Sequence, residues 1–160
     1  MGSEQLMIDD FVAYYGKKTG FVIHHSVVTG DGDKPDLVFE TTINAKSYLL
    51  AIECKTDASV TNVPNYSKQL FGEILKNRKS IYFNTFSTTH TKAYGIFLNF
   101  ESNKMSDIGS FLSRHIGHSD WINFGKYYEA EFVFLYDQIN HQLHYCDWSN
   151  FLTNPTTVMI

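Results

Sequence analysis

The stretch Tyr48-Leu49-Leu50-Ala51-Ile52-Glu53-Cys54-Lys55 constrains the fold of this chain more than any other. It reads as a strand, and in a strand successive side chains point to opposite faces. Leu50, Ile52 and Cys54 therefore share one face, and Ala51, Glu53 and Lys55 the other. A carboxylate and an ammonium thus project side by side from the end of an otherwise apolar strand. Burying either group alone is costly. The pair is either a simple ion pair where the strand meets solvent or part of a site.

A second acid favours the site. Asp36 follows Pro35 and opens a strand over residues 36–40, after a segment (29–35) built of turn residues. Residues 43–47 read as a hairpin connection, which makes the two strands antiparallel neighbours and brings Asp36 near Glu53. Two carboxylates held close repel unless a cation lies between them, and an all-oxygen donor set suits Mg²⁺ or Mn²⁺. The backbone carbonyl of Cys54 is a further candidate oxygen ligand, whereas its thiol points to the opposite face and reads as core. Lys55 is placed to orient or deprotonate a water and to offset charge in a transition state.

Around this centre the chain reads as one mixed α/β domain over residues 1–160. An apolar stripe of Leu6, Phe11, Val12 and Tyr15 predicts a helix over 4–15, stopped by Gly16. A strand is expected at 21–28, then the two strands already described, then a polar loop at 56–64. Leu70, Phe71, Ile74 and Leu75 predict a helix over 66–77. A strand at 94–100 and a helix at 106–115 follow, and strands at 128–136 and 141–146 read as a hairpin turning through 137–140. Alternation of this kind gives a mixed sheet flanked by helices.

The order of elements and the residues Pro35-Asp36 and Glu53-Cys54-Lys55 resemble the PD-(D/E)xK nuclease superfamily, with its restriction-endonuclease-like fold. There a helix precedes a strand meander, the two acidic elements sit on adjacent strands, and a further helix packs beside the site. The resemblance covers the first half of the chain. It implies that Asp36 and Glu53 bind Mg²⁺ or Mn²⁺, that Lys55 is the catalytic lysine, and that the reaction is phosphodiester hydrolysis, with DNA as the expected substrate. Gln69 resembles the glutamine that some exonuclease-like branches place near the site, although those branches carry a tyrosine four residues later, where this chain has Glu73. Many relatives draw another acid from the first helix. Glu4, Asp9 and Asp10 are the candidates, and Asp10, beside the apolar pair Phe11-Val12, is the choice made here.

Lys68, Lys76, Arg78 and Lys79 put positive charge on and just after the second helix, the best candidate for a phosphate-facing patch. The whole chain carries a net charge of −4, which argues against avid non-specific binding of nucleic acid. That balance keeps a second reading open, in which the same fold is catalytically inactive and serves as a nucleic-acid-binding or assembly module. With no separate DNA-reading element, specificity would come from a homodimer, a larger complex or substrate shape.

Other chemistries are disfavoured. Cys54 and Cys146 are too few for a disulfide framework and read as reduced thiols of an intracellular, cytoplasmic protein. No apolar run reaches the length of a membrane span. His115 and His118, and likewise His141 and His144, are spaced by three, but a strand puts the second pair on opposite faces, so zinc is not expected. Of His24 and His25, which alternate on the first strand, one can look toward the site.

Overall fold

Among the described residues seven strands lie side by side in the order in which the chain makes them. Helix α1 (Ser3–Tyr15) leads to β1 (Val22–His25), β2 (Leu37–Ile43) and β3 (Lys46–Lys55). Then come α2 (Val63–Arg78), a single turn α3 (Ile81–Asn84), β4 (Thr91–Asn99), α4 (His118–Tyr128), β5 (Ala130–Asp137), β6 (Gln142–Asp147), a 3₁₀ turn (Trp148–Asn150) and β7 (Val158–Met159). The structure is a computed structural model that describes residues 2–28, 32–56, 63–99, 113–153 and 157–160, with 63–68 described by backbone alone.

The expected hairpin is present. β2 pairs antiparallel with β3, with Leu37 opposite Ile52 and Ile43 opposite Lys46. The turn is tighter than expected: only Asn44 and Ala45 lie outside the strands, with φ of 51° and 63°. Positive φ at both central residues gives the turn the twist that antiparallel strands need. β1 pairs antiparallel with β2, β4 runs parallel to β3, β5 parallel to β4, and β6 and β7 close the sheet antiparallel. The result is a mixed α/β architecture.

Strand alternation divides the interior into two layers. Leu50, Ile52 and Cys54 join Met7, Ile8, Phe11 and Tyr15 of α1 on one side of the sheet. Val38, Leu49 and Ala51 join Leu70 and Ile74 of α2, Phe83 of α3 and Trp121 of α4 on the other. Cys54 and Cys146 are both free and lie in opposite layers. The aromatics of the second half build these layers: Trp121 and Trp148 stack at 3.9 Å and exchange hydrogen bonds, each indole N–H donating to the other's carbonyl oxygen.

Several boundaries differ from the sequence expectation. The first strand is shorter than 21–28 because the side chain of Gln5 takes over the backbone beyond it, donating to Ser26 O and accepting from Val28 N. Helix α4 occupies residues for which no element was expected, since Gly125 lies within it and aromatic residues favour strands. Gly125 is needed there because a Cβ would strike the Trp148 ring. The strand expected to begin at 128 accordingly begins at Ala130. Residues 113–115 are helical, as expected for the end of the 106–115 helix, whose remainder lies outside the described residues, as does Phe100. Among the described residues no helix is long and apolar enough to cross a membrane.

Candidate active site

The hairpin register sets the site. Asp36 sits just before β2, one step beyond the Leu37–Ile52 pair, and its Oδ2 accepts the backbone N–H of Cys54 at 3.0 Å. Asp36 is thereby fixed beside the end of β3 that carries Glu53 and Lys55. Glu53 is 5% exposed and lies on the face of β3 that looks toward α2. Its Oε1 is 3.6 Å from Lys55 Nζ, and its Oε2 is buried with no hydrogen-bond partner among the described residues.

Charge is crowded here. Burial, then the charges of Asp36 and Glu73, push Glu53 up to about 8, against the opposing pull of Lys55 and Lys76. Asp36 is also raised, first by burial, with hydrogen bonds from the Cys54 N–H and the Glu53 carboxyl and the charges of Lys55 and Lys76 acting against the shift. Both carboxyls therefore resist ionisation in the protein alone, the behaviour expected of two acids sharing a desolvated corner without a cation. A hard divalent cation fits the two carboxylates of this corner: their donors are oxygen, and the buried Oε2 of Glu53 has no partner among the described residues. Among the described residues no three His, Cys, Asp or Glu side chains are already grouped as a metal would require.

The remaining candidates divide sharply. Lys55 lies at the site as expected. The Cys54 thiol is buried in the opposite layer and pushed well up by burial, so only the backbone of this residue is available. Gln69 is exposed, on the helix face that continues to Glu73.

Asp10 is not brought to the site. α1 packs against the other layer, and the Asp10 carboxylate accepts from Tyr136 Oη at 2.6 Å and meets His141 Nδ1 at 2.9 Å. Of the three acids considered on this helix, Glu4 is the one whose charge reaches Cys54, and the neighbouring Ser3 hydroxyl meets Thr56 Oγ1 at 2.5 Å. The first turn of α1, not its middle, approaches the end of β3.

Two of the four residues of the expected basic patch, Lys76 and Arg78, pair with acids. Arg78 donates to Tyr128 O at 2.8 Å and pairs with Glu129 at 3.3 Å, with its guanidinium over the Tyr94 and Tyr128 rings. Lys76 pairs with Glu73 at 3.2 Å, Lys79 is exposed, and the side chain of Lys68 lies outside the described residues. His24 turns to Glu40, which also holds His90, whereas the charge of Asp36 bears on His25. His141 lies in the β5–β6 turn with φ 55°, not in a strand. Asp33 accepts from the backbone N–H groups of Ile81 and Tyr82, which anchors α3 against the approach to Asp36.

Two residues went unrecognised in the sequence. The charge of Glu73, on α2, bears on Glu53, and its sequence signal was its spacing of four from Gln69. Asn77, one turn further on, is 1% exposed, with neither amide atom hydrogen-bonded among the described residues. No protein-family model and no curated protein matches the sequence.

Proposed function

We propose that this protein is a divalent-metal-dependent nuclease of the PD-(D/E)xK type, with a restriction-endonuclease-like fold, acting on phosphodiester bonds in DNA. The observation that carries the reading is the join between Asp36 and β3: the carboxylate is bonded to the backbone of Cys54, between Glu53 and Lys55. The order helix, three antiparallel strands, helix, parallel strand agrees with the layout that the resemblance implies.

Asp36, Glu53 and the Cys54 carbonyl would hold Mg²⁺ or Mn²⁺, which when bound supplies Lewis-acid stabilisation of charge on the phosphate oxygens. The chain's own groups do the rest. Lys55 Nζ, at the end of β3, orients the attacking water and offsets the charge that develops on the phosphoryl group. Glu53 and Lys55 share a face because they are two residues apart, so acid and ammonium act on one point in space. Burial of Glu53 keeps the corner dry, which strengthens each of these interactions.

A specific observation favours a second reading. Arg78 and Lys76 are engaged with Glu129 and Glu73, and the chain carries a net charge of −4, which weakens two of the four expected phosphate contacts. The same fold without catalysis, serving as a nucleic-acid-binding or assembly module, is consistent with that. Incubation of the purified protein with single- and double-stranded DNA and RNA in Mg²⁺ or Mn²⁺ separates the two. Cleavage that disappears in Lys55→Ala supports the nuclease. A folded protein that cuts none of these substrates leaves the assembly module.

A further inference from the structure

We infer that Glu73 is a third, exchangeable carboxylate of the site, held by Lys76 until a divalent cation draws it across. The inference rests on the nuclease reading and adds a residue that the resemblance does not supply. Leu70 and Ile74 seat α2 in the same apolar layer as Val38 and Ala51, so the helix lies over the face of β3 from which Glu53 projects. Glu73 immediately precedes Ile74, and among the described residues of α2 the charges of Glu73 and Lys76 reach Glu53.

A group of acids would not by itself be a site. What marks this one is Glu53: 5% exposed, on the α2 side of β3, with an Oε2 that finds no hydrogen-bond partner among the described residues. A buried carboxylate oxygen left without a partner is costly, and a bound cation removes that cost. Glu73 is placed to share it. Its Oε2 is shielded from solvent and pairs with Lys76 Nζ at 3.2 Å. Lys76 is partly exposed, and its long stem lets the ammonium swing to solvent at little cost. Three carboxylates, Asp36, Glu53 and Glu73, then face one divalent cation, and the displaced Lys76 ammonium is free to meet a phosphate.

The test is Mn²⁺ binding to the full chain without substrate, read by titration calorimetry and by the loss of the free-Mn²⁺ electron paramagnetic resonance signal. Wild type is compared with Glu53→Gln, Glu73→Gln, Lys76→Met and the Glu73→Gln/Lys76→Met pair, with circular dichroism to confirm folding. Glu73→Gln should weaken Mn²⁺ binding about tenfold, since affinity at such sites follows the number of charged ligands. Lys76→Met should tighten binding in wild type but not in the Glu73→Gln background, because its effect acts through Glu73. Unchanged affinity in Glu73→Gln, or equal tightening by Lys76→Met in both backgrounds, overturns the role of Glu73. Binding that survives Glu53→Gln undiminished, or no binding by folded wild type, overturns the nuclease reading itself.

Discussion

Asp36 accepts the backbone N–H of Cys54 at 3.0 Å, so the carboxylate that opens one strand is clamped to the end of the next. The bond orients Asp36 without using its second oxygen and sets it against Glu53, the least exposed acid of the site. Asp36→Asn keeps an oxygen acceptor for the Cys54 N–H and removes the charge. It should leave thermal stability within about 1 kcal/mol of wild type while weakening Mn²⁺ binding and lowering metal-dependent cleavage about a hundredfold or more. Calorimetric titration and single-turnover cleavage measure the two effects separately.

The metal-free protein should lose stability as pH rises from about 4.5 to 8. Glu53 sits near 8 in the fold against 4.5 as its ordinary value, so over that window the folded state binds more protons than the unfolded one. The contribution is fully present below the unfolded value and is lost as pH climbs through the folded value; Asp36, also raised, adds in the same direction. Glu53→Gln lacks the effect. It should match wild type near pH 4.5 and exceed it at pH 8.5 by on the order of 1–3 kcal/mol. Denaturant melts in chelator at the two pH values measure the difference, and Mg²⁺ should narrow it by stabilising wild type at the higher pH.

Asp10 should matter for stability and not for chemistry. Its carboxylate holds the Tyr136 hydroxyl and His141 and ties α1 to the β5–β6 hairpin. Asp10→Ala is expected to cost about 1–3 kcal/mol through the partners left unsatisfied. Metal-dependent cleavage by the folded variant should be unchanged. A loss of cleavage with stability intact would return Asp10 to the site.

Gly95 should tolerate no side chain. It lies in β4 opposite Phe132 of β5, and a Cβ there would run into the Phe132 carbonyl oxygen, a backbone atom that cannot turn aside. Gly95→Ala should therefore destabilise the protein by about 2–4 kcal/mol, as overpacking in a sheet interior does. Thermal melts of the variant check this. Its neighbour Ala93, already bearing a Cβ, gives the contrasting position on the same strand.

The local features of the site were legible in the chain because they follow from the period of a strand. Alternation alone put Glu53 and Lys55 on one face and the Cys54 thiol on the other, and turn chemistry between two apolar runs foretold the β2–β3 hairpin. From these two facts the approach of Asp36 to Glu53 follows, because an antiparallel register leaves it nowhere else to stand.

Only the tertiary structure decided which groups cover that face. Whether Glu4 or Asp10 approaches β3 depends on how α1 lies across the opposite layer, and all three acids of that helix look alike in sequence. Glu73 and Lys76 face Glu53 because Leu70 and Ile74 seat α2 where they do. Arg78, a candidate for phosphate in sequence, is instead claimed by Tyr128 and Glu129 at the end of α4, a helix that the sequence did not announce. The period of a strand is set by covalent geometry and neighbours two residues away. The partner of a long charged side chain is set by packing between elements fifty residues apart, and no local pattern encodes it.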